Sequence, residues 1–377
     1  MKIAVISSNT LSTPPDPSTL KPGWGVSMHD VVSTITEGLV ARGHDVTLFA
    51  SGDTKTTAKL EYVWEKASVN YEVHTDQFDG LYMTYDNVLA SYCFQKNLTE
   101  RYDIIYTYHV FDSGIFGFLT DTPIISTLHG IRGDHEAVVV PKIIKPNYYV
   151  SISQFQIKSM DYLKVTECIP NGIDKDLFNF SPESGNSLVF VGRITTDKGT
   201  DIAIQVAGKM DLELDILGET NYKPLQDQVE ELAKGHKINF HGNIPKQNVG
   251  DIVSKSKAFI FPIRWDEPFG LVLAESLACG TPIIGFANGS MPEIVEDGKT
   301  GFLVNMDGEH IRGDWIVKKT GAEGLEEALN KLYSLSDEDY AQMRKDCRET
   351  FEKKFTKEMM IDRYEELFEK IVKKEIE

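Results

Sequence analysis

The chain has 377 residues, enough for two domains of roughly 150–200 residues and too many for one ordinary core. Hydrophobic residues make up 41% and charged residues 25%, which excludes a largely disordered or fibrous chain. With 39 basic against 57 acidic residues the formal net charge is −18, so the basic footprint needed for nucleic acid or an anionic membrane surface is missing.

The elements alternate strand and helix along the whole chain. The apolar run 2–7 predicts a strand. Ser27–Arg42 has helical spacing, with Val31, Ile35 and Leu39 on one face, and stops at Gly43. Strands are expected at 45–50, 103–107, 123–128 and 147–152. A second, more regular series gives strands at 187–191, 212–217, 237–241, 257–262 and 282–286, with helices at 200–209, 225–234, 248–255 and 270–278. Short apolar strands joined by crossovers predict an α/β fold of two doubly wound parallel sheets covered on both faces. The turn-rich Ile169-Pro170-Asn171-Gly172-Ile173-Asp174 is the expected linker. The boundaries read 1–168 and 169–355, followed by an amphipathic helix over 356–377 with Met359, Tyr364, Leu367, Phe368 and Ile371 on its apolar face.

Cys93, Cys168, Cys279 and Cys347 are scattered without a CxxC or zinc spacing, so reduced thiols in a cytoplasmic protein are expected. No stretch reaches the roughly 18 apolar residues of a spanning helix, and the opening run is too short for a signal peptide. No metal-ligand cluster is visible in the sequence.

Ligands of open parallel sheets bind beyond the carboxyl ends of strands, and the unusual residues fall there. In Asp266-Glu267-Pro268-Phe269-Gly270-Leu271-Val272-Leu273-Ala274-Glu275, a strand leads into a loop and a helix expected to begin near Pro268–Gly270. The N–H groups of Phe269, Gly270 and Leu271 would form an anion site at the positive end of the helix dipole. Glu267 and Glu275 suit a vicinal diol, since each carboxylate accepts paired hydrogen bonds. The bland alternative makes both ordinary helix charges. A second loop, Gly192-Arg193-Ile194-Thr195-Thr196-Asp197-Lys198-Gly199, offers two cations to a diphosphate leaving group; a capped surface loop is the alternative.

His129 closes an apolar strand of the first half, and His109 follows the strand ending in Tyr106-Thr107-Tyr108. Each alone reads as a satisfied buried histidine; two at adjacent strand ends read as a site. Pro22-Gly23-Trp24-Gly25 precedes the first long helix. It is no dinucleotide fingerprint, because Met28 stands where the third glycine belongs. Trp24 is either an acceptor-side platform or a packed loop residue. The segment 138–145 pairs apolar residues with Lys142 and Lys145, and reads as a lipid-facing patch or as a buried edge.

Taken together, these strings resemble the retaining glycosyltransferases of family 4, a resemblance that runs from the Gly23-Trp24-Gly25 loop to Pro292-Glu293-Ile294 and Gly298-Lys299-Thr300-Gly301. It implies the GT-B fold, two facing Rossmann-like domains with an inter-domain cleft. The first domain would bind the acceptor and the second a nucleotide-diphosphate sugar, with the last helix returning to the first domain. It implies a hexosyltransferase that forms an α-linkage without a metal or a bound cofactor. The donor is expected to be a UDP- or GDP-sugar, and the acceptor a carbohydrate, glycolipid or small-molecule hydroxyl. By this resemblance Arg193 and Lys198 grip the diphosphate, Glu267 meets the transferred sugar, Glu275 binds the ribose, and His129 lies near the anomeric carbon. Gly25 and Gly192 approach the donor, the backbone near Asn243 meets the base, and Trp24 and His109 lie on the acceptor side. The rival readings are a catalytically silent sugar-nucleotide-binding protein and another GT-B enzyme, such as a sugar-nucleotide epimerase or a phosphorylase.

Overall fold

The computed structural model describes residues 1–16, 27–70, 78–108, 116–130 and 148–376. Two compact units are present. Among the described residues, the first takes those up to Gly172 together with those from Lys357 on, and the second takes Ile173–Thr356. Trp24, Gly25, His109 and the segment 138–145 lie outside the described residues.

In the first unit the sheet contains β1 (Lys2–Ile6), β2 (Asp45–Phe49), β3 (Lys59–Glu61), β4 (Ile104–Thr107), β5 (Ile124–Leu128), β6 (Tyr148–Ser151) and β7 (Val165–Cys168). Their order is β3-β2-β1-β4-β5-β6-β7, and all pairings are parallel. The continuous apolar runs follow from burial on both faces: Ile3, Ala4 and Val5 are fully buried, as are Ile104, Ile105 and Tyr106.

Two long helices, α1 (Ser27–Ala41) and α2 (Phe78–Glu100), and the short α3 (Gln154–Ser159) belong to this unit. The expected face of α1 is the buried one, with Val31, Ile35 and Leu39 at 3%, 0% and 0% exposure. The helix stops where Gly43 enters the left-handed region at φ +83. β3, β7 and α3 were not anticipated; β3 has only three residues, and none of them is buried.

The second unit holds β8 (Leu188–Val191), β9 (Leu214–Leu217), β10 (Ile238–Gly242), β11 (Ala258–Phe261), β12 (Ile283–Phe286) and β13 (Gly301–Val304). Their order is β10-β9-β8-β11-β12-β13, again parallel throughout. Helices α4 (Thr200–Lys209), α5 (Lys223–Ala233), α6 (Lys246–Lys255), α7 (Leu271–Ala278), the short α8 (Met291–Ile294), α9 (Gly321–Tyr333) and α10 (Asp337–Lys354) cover it. Sheet and helices share one core, centred on Phe190, Ile216, Ile260, Phe286, Leu325 and Leu329. Strand order reverses at the β8–β11 boundary. In a doubly wound sheet that reversal opens a crevice beyond the strand ends.

Two sequence expectations need correction here. The helix read as starting near Pro268–Gly270 starts at Leu271, with Gly270 as its N-cap in the left-handed region (φ +80), so Pro268 belongs to the preceding loop. The last helix, α11 (Lys357–Val372), buries Met360 and Ile361 beside Tyr364, Leu367, Phe368 and Ile371, whereas Met359 is only half-buried. A shift of one residue turns the face by 100°, and only the partner surface selects it. That partner includes α1, where a Cβ on Gly38 would stand 2.3 Å from Ile361 Cδ1.

Candidate active site

Two loops of the second unit meet at the β8–β11 crevice. The first leaves β8 at Gly192 (φ +154), tightens into a 3-10 turn over Thr196–Lys198, and enters α4 through Gly199 (φ +75). A Cβ on Gly199 would lie 2.0 Å from the Pro262 carbonyl oxygen, so glycine permits the two loops to touch backbone to backbone. Arg264 staples them. Its N–H donates to the Asp197 carbonyl at 2.7 Å, and its guanidinium forks onto Asp201 at 2.8 and 2.6 Å.

The second loop is pinned on its other side too. Asp266 accepts from the Gly289 N–H at 3.0 Å and from the Arg312 guanidinium at 2.9 Å. The Ser290 N–H donates to the Glu267 carbonyl at 2.8 Å, and the Ser290 hydroxyl donates to the Phe269 carbonyl at 2.8 Å. Phe269 is buried and meets the Phe355 ring edge-on. Among the described residues, the N–H groups of Phe269 and Gly270 have no hydrogen-bond acceptor. They precede the first turn of α7, where backbone donors and the helix dipole favour an anion.

Lys198 and Glu267 come together directly. Lys198 Nζ lies 2.6 Å from Glu267 Oε2, with the side chains 14% and 12% exposed. Arg193 is exposed and, among the described residues, forms no ion pair, so its charge is open to a solvent-borne anion. Glu275, one turn into α7, is 7% exposed and has Lys246 Nζ at 3.4 Å from Oε1. The loops therefore gather alternating cations and carboxylates around backbone donors. Such a set can hold a polyanion on one side and hydroxyl groups on the other.

β10 runs to Gly242, one residue beyond the predicted end, and Asn243 follows it. The Asn243 N–H donates to Glu219 Oε1 at 3.1 Å and its side-chain amide donates to Oε2 at 3.1 Å, so a carboxylate holds the backbone at this strand end. Nothing about Glu219 in the sequence signalled this, because it lies two loops away from its partner.

In the first unit His129 follows β5, half-buried, with its ring edge-on to Tyr108 at 6.1 Å. Sequence reading missed Trp265, whose ring centroid lies 4.9 Å from Lys198 Nζ. It also missed Arg264 and Arg312. The signal was present in Arg264-Trp265, which immediately precedes the quoted Asp266–Glu275 string at the end of an apolar strand.

Two doubly wound parallel sheets, each in its own unit, define a class of fold, the GT-B type. Residues 174–353 match the family model described as glycosyl transferases group 1, and residues 28–177 match that of glycosyltransferase family 4. The chain belongs to this glycosyltransferase family, and it is an enzyme of that kind. It is 24% identical over 368 residues to the N-acetyl-alpha-D-glucosaminyl L-malate synthase of Bacillus anthracis, covering 88% of this chain and 90% of that protein. An uncharacterized glycosyltransferase of Methanocaldococcus jannaschii is 26% identical, with 68% and 76% covered. Among solved structures, sucrose-phosphate synthase from Thermosynechococcus elongatus has a TM-score of 0.77 at 19% identity, covering 98% and 99%. Anabaena HepE, solved with UDP and glucose, has a TM-score of 0.70 at 18% identity over 98% and 99%. These two likenesses carry the fold.

Proposed function

We propose that the enzyme moves a sugar from a nucleotide-diphosphate sugar to a hydroxyl acceptor, with retention and an α-linkage. The second unit binds the donor and the first unit the acceptor. The observation that carries this reading is the Lys198 loop stapled against the Glu267–Gly270 loop at the strand reversal of the second sheet. The loop that carries Arg193 and Lys198 and the loop that leads into α7 thus lie side by side, an arrangement suited to a departing diphosphate. The UDP bound in HepE supports a nucleotide donor by analogy of fold.

The reaction is R–OH plus nucleoside diphosphate–sugar giving R–O–sugar plus nucleoside diphosphate. The anomeric C–O bond to the β-phosphate breaks and an acceptor C–O bond forms on the same face. The acceptor proton passes to the departing diphosphate. Lys198, Arg193 and the N–H groups before α7 stabilise the negative charge that develops there. Glu267 and Glu275 accept hydrogen bonds from sugar and ribose hydroxyls. We place the enzyme in the cytoplasm, with a carbohydrate, glycolipid or small-molecule hydroxyl as acceptor; no described helix is long and apolar enough to cross a membrane.

The deciding experiment is donor hydrolysis and thermal shift over a panel of UDP-, GDP-, ADP- and TDP-sugars, with and without EDTA. One or two nucleotides should raise the melting temperature, and hydrolysis should persist in EDTA. Arg193→Ala and Lys198→Ala should each lower donor turnover about 100-fold or more, the scale seen when one oxyanion donor is lost, with melting temperatures held. Normal turnover in both variants would refute the leaving-group assignment.

A further inference from the structure

Trp265 stands in the pinned loop after β11, and 37% of it is exposed. Its neighbours on both sides are fixed: Arg264 to Asp197 and Asp201, and Asp266 to Gly289 and Arg312. The loop therefore sets where the ring stands, and it stands over a cation. Lys198 Nζ lies 4.9 Å from the Trp265 ring centroid and 5.8 Å from that of Phe261, while Glu267 Oε2 takes the ammonium at 2.6 Å.

These partners are chemically unlike. Glu267 is an anion and competes with any phosphate oxygen for the same ammonium. An indole face attracts the cation through its quadrupole and offers no competing charge. An incoming diphosphate that takes the place of Glu267 can leave the indole contact intact. Displacement also frees the Glu267 carboxylate to accept hydrogen bonds from sugar hydroxyls.

We propose that Glu267 is the exchangeable counter-ion of Lys198 in the donor-free site, and that Trp265 is the positioning residue that retains the ammonium while a nucleoside diphosphate takes Glu267's place. This rests on reading Lys198 as a diphosphate ligand.

Calorimetry with UDP, GDP, ADP and TDP tests it on wild type, Trp265→Leu, Trp265→Phe, Glu267→Gln and Lys198→Ala. Trp265→Leu should weaken binding about 3- to 10-fold, and Trp265→Phe should recover most of the loss, since its ring keeps a π face. Glu267→Gln should bind the nucleotide more tightly, because the competing charge is gone. Saturating nucleotide should also alter tryptophan emission in wild type by an increment absent in Trp265→Phe, as the cation above the indole changes partner. Wild-type affinity in Trp265→Leu, weaker binding by Glu267→Gln, or an unchanged Trp265 emission would each overturn the proposal. If wild type binds none of UDP, GDP, ADP and TDP, or Lys198→Ala binds as wild type does, the donor reading itself fails.

Discussion

Asp86 shows how one buried carboxyl responds to its surroundings. It lies on α2 at 6% exposure, accepting the Ser8 hydroxyl at 3.0 and 3.1 Å and the Asn9 N–H at 2.8 Å. Burial pushes its pKa up from 3.8 to about 6, against the opposing pull of those donors. The native state thus holds the proton more tightly than the unfolded chain. The resulting stability is full below the unfolded pKa and is lost as pH rises through about 6. Urea unfolding at pH 4 and pH 7 should show wild type losing about 2–3 kcal/mol relative to Asp86→Asn across that interval. A difference that stays constant with pH would contradict the assignment. Arg344 meets burial differently. It is fully buried, and its guanidinium donates to the carbonyls of Ser181 and Ser254 at 2.9 and 2.7 Å and further to Ser256 and Tyr340, bonds that offset the cost of desolvation.

At the scale of elements, α11 is held to α1 and the first sheet by shape and by polar ties. Tyr364 shares Thr127 with Tyr106, at 2.7 and 3.0 Å, and the two tyrosine rings pack edge-on at 5.4 Å. Arg42 pairs with Asp362 and Glu365, and His44 lies 2.7 Å from Glu365. Large buried side chains such as Phe368 contribute about 1.5–3 kcal/mol each. At Gly38 an added Cβ would run into the Ile361 side chain. Gly38→Val should destabilise by about 1–3 kcal/mol through overpacking, and Ile361→Ala in that background should cost less than it does in wild type. Chemical unfolding of the four chains measures this coupling; simple additivity would show that Gly38 is not limiting. The existence of α11 and most of its buried face, Tyr364, Leu367, Phe368 and Ile371, were legible from its spacing; only its first turn was not, because Met359 and Met360 are equally apolar. α9, α10 and β13 were missed despite clear patterns in Leu325-Ala328-Leu329-Leu332, for want of a motif drawing the reading past Gly301.

For the whole molecule, the donor assignment predicts where a nucleotide should be felt. Hydrogen exchange with saturating UDP or GDP should slow at residues 192–199 and 266–272 in the second unit, and leave α1 and α11 of the first unaltered. Protection confined to the first unit would reverse the assignment of donor and acceptor. Among the described residues the two units have the same kind of sheet, with seven and six strands. The proposed separation of roles would therefore rest on loops, because loops differ between the sheets while strands need only be apolar.

Local physics determined much of this protein from sequence alone. Period and burial fixed the alternation of buried strands with amphipathic helices. The Arg193, Lys198 and Glu267 strings marked the loops that follow β8 and β11, where the structure then shows glycines 192, 199 and 270 at positive φ. What only the tertiary structure decided was partnership. Lys198 spends its charge on Glu267, Asn243 gives its N–H to Glu219, and Arg264 and Trp265 act across from residues about 60 positions away in the chain. Such pairings depend on which strand lies next to which, and neither hydrophobic period nor residue type encodes that order until the sheet is assembled.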